Sequence, residues 1–313
     1  MSAEQRTSIT PAVRAGSATA WLAAVRPNSL LVAISPVIVG AAFGWQRTGA
    51  LDPRVAFIIL MAALLMQVIT NLQNDVGYTV RGGDASGTRI GLPRATALGW
   101  LPVRSVRLAI VVVAVVATAL GLWLVVLRGW PVLAIGVSSL VAALAYMGGP
   151  RPIAYTPLGE ATVFVFFGLV AVMGTDWVLT GEVGAATVVA SVAIGSLAAA
   201  ALAVNNQRDI AHDALVGRRT FPVVFGAPAA QRFYAALLFL PYALTPWMAW
   251  LAKAPALLLT LVLLPASVTL WRDFVRCPPG LAFNQVLFRT FRMELAFAVL
   301  LACGAVLDRF WGN

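Results

Sequence analysis

Nine long apolar runs dominate the sequence, and they leave few folds open to the chain. A helix that crosses the hydrocarbon core of a bilayer needs about 20 mostly apolar residues, because each residue advances the helix by only about 1.5 Å. The runs are 28–46, 55–74, 105–127, 130–147, 158–180, 183–207, 229–251, 253–270 and 290–309. Only 11% of the residues are charged, too few to cover a water-soluble surface of this size. The sequence therefore predicts an all-α polytopic membrane protein of about nine transmembrane helices.

The apolar runs leave no length for a large soluble domain, so we expect a single transmembrane domain over residues 21–313. Residues 1–20 are polar and rich in small side chains, and they lack the basic-then-apolar order of a signal peptide. We interpret them as a flexible cytoplasmic tail. The two cysteines, Cys277 and Cys303, have no paired spacing, which argues against a disulfide or zinc framework.

Basic residues are distributed unequally between the two sides that nine spans define. The N-terminal segment and the loops after the second, fourth, sixth and eighth spans hold 17 of the 22 Lys and Arg residues. Because basic residues are retained on the cytoplasmic side, these loops and the N-terminus are predicted to be cytoplasmic. The net charge of +10 is then explained by anionic lipid and an anionic substrate, and no nucleic acid partner is expected.

Two polar clusters lie at the predicted cytoplasmic ends of the second and sixth spans. The first cluster comprises Asn71, Asn74, Asp75, Asp84, Arg89 and Arg94, and the second cluster comprises Asn205, Asn206, Arg208, Asp209, His212, Asp213, Arg218 and Arg219. Asn71 and Asp75 are four residues apart, as are Asn205 and Asp209, so each pair shares one face of a helix.

Residues of these types suit a charged phosphate ligand. Carboxylate and amide oxygens bind Mg²⁺, which is often completed by substrate phosphates, and arginines fork onto phosphate oxygens. The alternative is that these side chains only cap helices and meet lipid headgroups. Two clusters with the same Asn-to-Asp spacing on the same side favour a clamp for a diphosphate and Mg²⁺.

Five polar residues, one of them from the second cluster, receive separate interpretations. Glu160 begins the fifth span, where it either caps the helix or binds an acceptor. Arg26 precedes the first span and either anchors on headgroups or guides the carboxylate of an acceptor. Asp176 and Glu182 lie on the opposite side and are predicted to be solvated. His212 is the only histidine, which excludes a multi-histidine metal site, and it is predicted to lie in a solvated loop.

A set of short motifs lies along most of the chain. They are Arg26-Pro27, Ser35-Pro36-Val37-Ile38-Val39-Gly40, Asn71-Leu72, Asn74-Asp75, Gly82-Gly83-Asp84, Arg89-Ile90-Gly91, Arg94, Tyr155, Leu158-Gly159-Glu160, Phe166-Phe167-Gly168, Val172-Met173-Gly174, Asn205-Asn206-Gln207-Arg208-Asp209, Asp213 and Gly217-Arg218-Arg219-Thr220. In these motifs the chain resembles the UbiA superfamily of intramembrane aromatic prenyltransferases, and within it the 1,4-dihydroxy-2-naphthoate polyprenyltransferases of menaquinone synthesis.

This resemblance implies nine helices around a central cavity, in the membrane of a bacterial-type cell. The residues that it implies for catalysis and for Mg²⁺ are Asp75, Asp84, Asp209 and Asp213. Those that it implies for substrate binding are Arg26, Asn71, Asn74, Arg89, Arg94, Tyr155, Asn205, Asn206, Arg208, Arg218 and Arg219. The implied reaction moves a polyprenyl chain from its diphosphate to an aromatic acceptor. In the naphthoate branch the chain replaces the ring carboxylate, with loss of CO₂, to give demethylmenaquinone.

One position departs from the family pattern. The first motif of the family reads Asn-Asp-x-x-Asp, and Tyr78 stands where its last Asp is usually a metal-site residue. Tyrosine is a poor Mg²⁺ ligand while it is protonated, and its reference pKa is about 10. Three readings are open: Asp75 and Asp84 complete the first metal site, that site is weakened, or the chain is a paralogue with another acceptor such as a hydroxybenzoate.

Two functions of other classes are also considered. One is a transporter, since polar residues within spans often mark ion pathways. The grouping of the polar residues at one face and the lack of an inverted repeat argue against it. The other is a non-catalytic binder of lipid or of a quinone precursor, which the tyrosine at position 78 makes plausible.

Overall fold

The computed structural model describes residues 13–83, 90–278 and 280–311, and within these ranges nine helical segments are long and apolar enough to cross a membrane. They are α1 (Ala18–Thr48), α2 (Pro53–Val80), α3 (Val103–Arg128), α4 (Trp130–Met147), α5 (Gly159–Thr180), α6 (Ala185–Arg208), α7 (Ala227–Ala252), α8 (Pro255–Arg276) and α9 (Phe283–Phe310). No β-strand occurs in the described part of the chain. The predicted fold class and number of spans are confirmed.

Several helices are longer than the apolar runs that predicted them. Helix α2 continues to Val80, six residues past the predicted end, and α9 begins at Phe283 instead of residue 290. Hydropathy identifies only the lipid-immersed part of a helix, whereas the backbone hydrogen bonds continue where buried polar side chains replace apolar ones. Asn71, Asp75 and Tyr78 therefore lie on one continuous helix.

Helix α1 begins inside the segment predicted to be a tail. Ser17 caps its first turn by accepting a hydrogen bond from the Ala20 backbone N–H, and Ala20 is fully buried. The helix is interrupted at Arg26, which has a left-handed φ of 55° and precedes a proline that disfavours helix at this position. The Asn71 side chain donates to the Val25 carbonyl oxygen at 2.7 Å and to Ser29 Oγ at 2.8 Å. A polar side chain of α2 thus holds the interruption in place.

Helix α6 is the central helix of the bundle, and 83% of its most apolar 18-residue stretch is buried within the protein. It packs against α1, α5, α7 and α9. Small residues allow these helices to approach closely: a Cβ on Gly168 of α5 would lie only 2.5 Å from Cα of Gly195. The backbone of α5 is locally widened to a π-helix over Phe164–Val170 at this contact.

A cavity of about 560 Å³ lies between α1 to α6 and α9. It extends along α2 from Asn74 to Ile59, a distance of about 22 Å on a regular helix. Among the described residues, α7 and α8 contribute nothing to its lining, and they pack with α6 and α9 in the largest hydrophobic core cluster. The central cavity that the resemblance implies is present.

The contact between α5 and α6 gives a prediction about stability. Gly168→Ala places a methyl group against backbone atoms that cannot rotate away, so we expect the free energy of unfolding to fall by about 1–3 kcal/mol. Thermal unfolding in detergent measures this loss. Gly121→Ala is the matched control, since nothing lies within 4 Å of a Cβ at that helical position. Equal unfolding temperatures for the two variants would contradict the proposed tight contact.

Candidate active site

Both polar clusters contribute to one end of the cavity. Asn71 and Asn74 line it from α2, Asn205 from α6 and Arg26 from α1. Most of the remaining lining is apolar, with Val37 and Val178 among the residues farther along. We call the end formed by Arg26, Asn71, Asn74 and Asn205 the polar end. The cavity thus joins a polar end, suited to a charged group, to an apolar chamber within the membrane-spanning bundle.

Asp75 lies behind the polar end and is fully buried. Its Oδ2 accepts a hydrogen bond from the Ala95 backbone N–H at 2.9 Å. Its Oδ1 accepts one from the Thr96 backbone N–H at 2.8 Å and another from the Thr96 hydroxyl. Both carboxylate oxygens therefore anchor the loop that precedes α3, a contact that was not predicted from the sequence.

Tyr78 lies one turn beyond Asp75 and is only 4% exposed. The guanidinium carbon Cζ of Arg94 is 3.2 Å from the centroid of its ring, and that of Arg218 is 4.9 Å from it. Arg94 also donates from Nη1 to the backbone oxygen of Asn74 at 2.8 Å. The first and second clusters therefore meet around the ring of Tyr78.

Arg208 organises the end of α6. It forks onto Asp209, with Nε 2.9 Å from Oδ1 and Nη2 2.7 Å from Oδ2. Nη2 also donates to Asn205 Oδ1 at 2.6 Å, and Nη1 donates to Asn284 Oδ1 at 2.7 Å. This arginine was predicted to bind substrate, and here it ties the second cluster to the first turn of α9.

Asp213 and Arg218 form a second buried ion pair. Asp213 lies one helical turn after Asp209, since its backbone N–H donates to the Asp209 carbonyl oxygen at 2.8 Å. Its Oδ1 is 2.6 Å from Nη1 of Arg218, whose Nε donates to the Ala154 carbonyl oxygen at 3.0 Å. Burial lowers the pKa of the Arg218 guanidinium to about 9, which leaves it protonated at neutral pH.

The loop between α4 and α5 brings Tyr155 to the same region. The Cζ atoms of Arg81 and Arg218 lie 5.9 Å and 5.8 Å from the centroid of its ring. The Tyr155 carbonyl oxygen accepts a hydrogen bond from the backbone N–H of Arg219 at 3.1 Å, while the Arg219 residue is exposed. Neither residue lines the cavity, so a role in substrate binding stays a prediction for both.

Glu160 and Asn206 form a buried pair that the sequence did not predict. Asn206 Nδ2 donates to Glu160 Oε1 at 2.8 Å. Glu160 Oε2 and Asn206 Oδ1 are buried and have no hydrogen-bond partner among the described residues. Tyr146, which lines the cavity, lies next to the first turn of α5, since a Cβ on Gly159 would be 3.5 Å from its hydroxyl oxygen. The pair therefore lies near the cavity with unused hydrogen-bonding capacity.

Two predictions about solvation are wrong. Asp176 is fully buried: it pairs with Arg47 at 3.0 Å and accepts hydrogen bonds from Thr187 Oγ1 at 2.7 Å and the Gly184 backbone N–H at 3.0 Å. Donors at the start of α6 replace water there. His212 is also buried, because its segment folds into a short helix, Ile210–Leu215. Glu182 is solvated as predicted, with 78% of its side chain exposed.

Two predicted site residues, Asp84 and Arg89, lie outside the described residues. The described members of the first cluster reach the polar end through Asn71 and Asn74, and those of the second reach it through Asn205. Asp75, Asp209 and Asp213 lie behind this end and do not line the cavity.

Comparison with known proteins agrees with this architecture. The sequence model of the UbiA prenyltransferase family matches residues 33–291. The chain belongs to this family. The prenyltransferase is 36% identical to the 1,4-dihydroxy-2-naphthoate octaprenyltransferase of Escherichia coli (strain K12), over 70% of its own length and 72% of that protein. It is 27% identical to the protein of the same name from Bacillus subtilis (strain 168), over 91% of each chain.

The fold of the prenyltransferase is also found among solved structures. A UbiA homologue from Archaeoglobus fulgidus, determined with DMAPP and Mg²⁺ bound, superposes with a TM-score of 0.67. The match covers 92% of this chain and 99% of that one, at 16% sequence identity. The arrangement of nine helices is therefore that of the family.

The donor atoms of the prenyltransferase fit Mg²⁺ unequally in the two clusters. Asp209 and Asp213 offer hard oxygen donors one helical turn apart, and Mg²⁺ needs only one or two carboxylates when substrate phosphates complete its shell. Asp75 fits less well, because its oxygens accept hydrogen bonds from backbone N–H groups of the Ala95–Thr96 loop, whereas those of Asp209 and Asp213 accept from arginine side chains, which can rotate away. Over residues 13–83, 90–278 and 280–311, no three His, Cys, Asp or Glu side chains gather into a metal cluster.

The hydrogen bonds of Asp75 give a prediction about loop order. Asp75→Asn places an amide NH₂ against one of the two backbone N–H donors, so we expect the 95–101 segment to open more often. Hydrogen-exchange mass spectrometry measures the amides of this segment, and an increase in rate of about tenfold corresponds to one lost net hydrogen bond. Asp209→Asn is the control and leaves the segment protected. Unchanged amide exchange rates in Asp75→Asn would show that the 95–101 segment does not depend on Asp75 for its stability.

Proposed function

We propose that the prenyltransferase moves a polyprenyl chain from an isoprenoid diphosphate to 1,4-dihydroxy-2-naphthoate, with loss of CO₂. One observation carries this proposal: an apolar cavity inside a membrane-spanning bundle has a polar end at which two Asn–Asp–Arg clusters meet. A diphosphate suits the polar end and an isoprenoid suits the apolar chamber. The names of the Escherichia coli and Bacillus subtilis relatives support this donor and acceptor.

The proposed reaction balances without an external oxidant or reductant. The bond between the allylic carbon and the diphosphate oxygen breaks, and the electron pair leaves with the diphosphate. The ring carbon that carries the carboxylate attacks the allylic cation, and a carbon–carbon bond forms. The electrons of the carbon–carboxylate bond then return to the ring as CO₂ departs. The product is the quinol form of demethylmenaquinone.

Charge neutralisation at the leaving group is the main task of the protein. Asp209 and Asp213 would hold Mg²⁺, which neutralises diphosphate charge when it is bound. Arg94 and Arg218 add fixed positive charge next to the polar end, where the low dielectric strengthens its effect. Asn71, Asn74 and Asn205 orient the diphosphate at the cavity wall.

The apolar chamber protects the cation. Water would capture an allylic cation as a prenyl alcohol, and apolar helices exclude water from the reaction. Tyr146 and Phe167 line the cavity, and their rings offer faces that attract positive charge. The buried pair of Glu160 and Asn206 lies near Tyr146, so we assign it to recognition of the ring hydroxyl groups of the acceptor.

We also propose that the polar end faces the cytoplasm of a bacterial-type cell membrane. The nine spans give the N-terminus and the loops that carry both clusters to one side, and this side has the excess of Arg and Lys. A soluble acceptor and a diphosphate would then reach the site from the compartment in which they are made.

An assay with purified protein tests the proposed reaction. The protein is reconstituted in lipid with Mg²⁺, a polyprenyl diphosphate and 1,4-dihydroxy-2-naphthoate, and we expect equal amounts of prenylated product and CO₂. Replacement of either Asp209 or Asp213 by Asn should lower the rate by about 100-fold or more, because the charge at the leaving group is no longer balanced.

Controls separate this result from loss of folding and from a different acceptor. Asp52→Asn changes a carboxylate that caps α2 at its other end and should retain the rate. Prenylation of hydroxybenzoate but not of the naphthoate would show that the acceptor is a different phenol, while the protein would still be an aromatic prenyltransferase. Absence of transfer to any phenol, together with proton-coupled flux in liposomes, would support a transporter instead.

Cysteine labelling tests the orientation. Cys277 follows α8 on the side that carries both clusters, and it is partly exposed. In a Cys303→Ser background, a membrane-impermeant maleimide should label Cys277 in inside-out vesicles and not in intact cells. Ala50→Cys, in the exposed turn between α1 and α2, should show the reverse pattern once Cys277 is replaced by Ser. Labelling of Cys277 in intact cells would show that the orientation in the membrane is the opposite of the proposed one.

A further inference from the structure

Tyr78 lies near the end of α2 in a closely packed setting. The ring is buried beside Met147 and Ala154, in a cluster to which Tyr155 also packs. Gly83 lies so close that a Cβ there would be 2.8 Å from Cδ1 of the ring. The ring is therefore fixed in position, with two guanidinium groups over it.

The two arginines reach this ring from distant parts of the chain. Arg94 comes from the loop before α3, and Arg218 comes from the loop after α6. Since their Cζ atoms lie 3.2 Å and 4.9 Å from one centroid, they are separated by no more than about 8 Å. One diphosphate can bridge or lie beside two guanidinium groups at this separation.

Each arginine is also held from a second direction. Arg94 donates to the Asn74 carbonyl oxygen, whose residue lines the polar end. Arg218 donates to Asp213 and to the Ala154 carbonyl oxygen. The ring of Tyr78 lies against both arginines, with its centroid 3.2 Å from Cζ of Arg94 and 4.9 Å from Cζ of Arg218. It thus sets their relative position.

A ring and a carboxylate at this position would act differently on the two cations. An aromatic face attracts a guanidinium group through its quadrupole and carries no net charge. A carboxylate would also attract the arginines, but it would cancel one unit of positive charge and repel a diphosphate. An aromatic residue therefore brings two positive charges together and leaves the local charge one unit more positive than Asp would.

We propose that Tyr78 is a positioning residue that fixes Arg94 and Arg218 as a pair of positive charges for the diphosphate of the substrate. This inference rests on the proposed function. Diphosphate recognition then depends partly on the arginine pair, so the chain binds a prenyl diphosphate measurably without Mg²⁺. Mg²⁺ adds affinity through Asp209 and Asp213.

Direct binding measurements test this role without turnover. The probe is geranyl S-thiolodiphosphate, whose carbon–sulfur bond ionises slowly, and its affinity is measured with full-length protein in lipid nanodiscs, in EDTA and in Mg²⁺. Tyr78→Phe keeps the ring and should stay within about twofold of the unmodified protein. Tyr78→Leu removes the aromatic face and should weaken binding in EDTA by about tenfold. Tyr78→Asp should weaken binding in EDTA at least as much as Tyr78→Leu does. Addition of Mg²⁺ should then raise the affinity of Tyr78→Asp by a larger factor than it raises that of Tyr78→Leu.

The outcomes distinguish positioning from simple packing. If Tyr78 were only a packing residue, Tyr78→Leu and Tyr78→Asp would lower the unfolding temperature. They would leave unchanged the ratio of the affinity in Mg²⁺ to the affinity in EDTA. Affinity of Tyr78→Asp in EDTA equal to that of the unmodified protein would overturn the inference. If Leu and Asp at this position prevent folding, Arg94→Gln is the second test: it leaves the ring in place and should weaken binding in EDTA by about tenfold. Unchanged binding by Arg94→Gln would also overturn it.

The same measurements separate this inference from the proposed function. Binding in Mg²⁺ by the unmodified protein, with no effect of any Tyr78 or Arg94 variant, would leave the proposed function standing and refute the role of Tyr78. Absence of binding by the unmodified protein even in Mg²⁺ would refute both.

Discussion

A hydrocarbon environment offers no hydrogen bonds, so every polar group carried into the bundle must find its partner within the protein. The described structure meets this constraint in several ways. Asp75 accepts hydrogen bonds from the backbone N–H groups of a loop, Arg208 donates to Asp209, Asn205 and Asn284, and Asp176 pairs with Arg47 and accepts from donors at the start of α6. Asn284 and Arg47 come from helices that are distant in sequence from their partners, and such pairs help to fix how the helices are arranged.

Close packing around α6 is the second determinant of the site. Because Ala, Gly and Ser dominate this helix, α5 and α7 approach its backbone closely, and the cavity forms on the side that faces α1 to α4. The last turns of α6 then carry Asn205 to the cavity wall and Arg208 and Asp209 behind it. One helix therefore supplies both the rigid centre of the bundle and part of the polar end.

Carboxylates and arginines lie together behind the polar end. Asp209 and Asp213 are each paired with an arginine, so the charge of both carboxylates is balanced within the second cluster. At Tyr78 two guanidinium groups meet on an uncharged ring, where Asp would add a negative charge. The proposed role of Tyr78 relates this departure from the family motif to binding of an anionic diphosphate.

The sequence alone determined the number of spans, the side that carries the basic residues and the two polar clusters, because hydropathy, charge bias and helical spacing are local properties. It also identified Tyr78 as a departure from the family pattern. Only the tertiary structure decided which polar residues reach the cavity. Asp75 meets the Ala95–Thr96 loop and Glu160 meets Asn206 through contacts between segments far apart in the chain, and no spacing rule predicts them. Asp176 and His212 were misjudged for the same reason, since burial depends on what packs against a residue and not on its own polarity. The meeting of Arg94 and Arg218 on Tyr78 required three segments to converge, which only the packed bundle achieves.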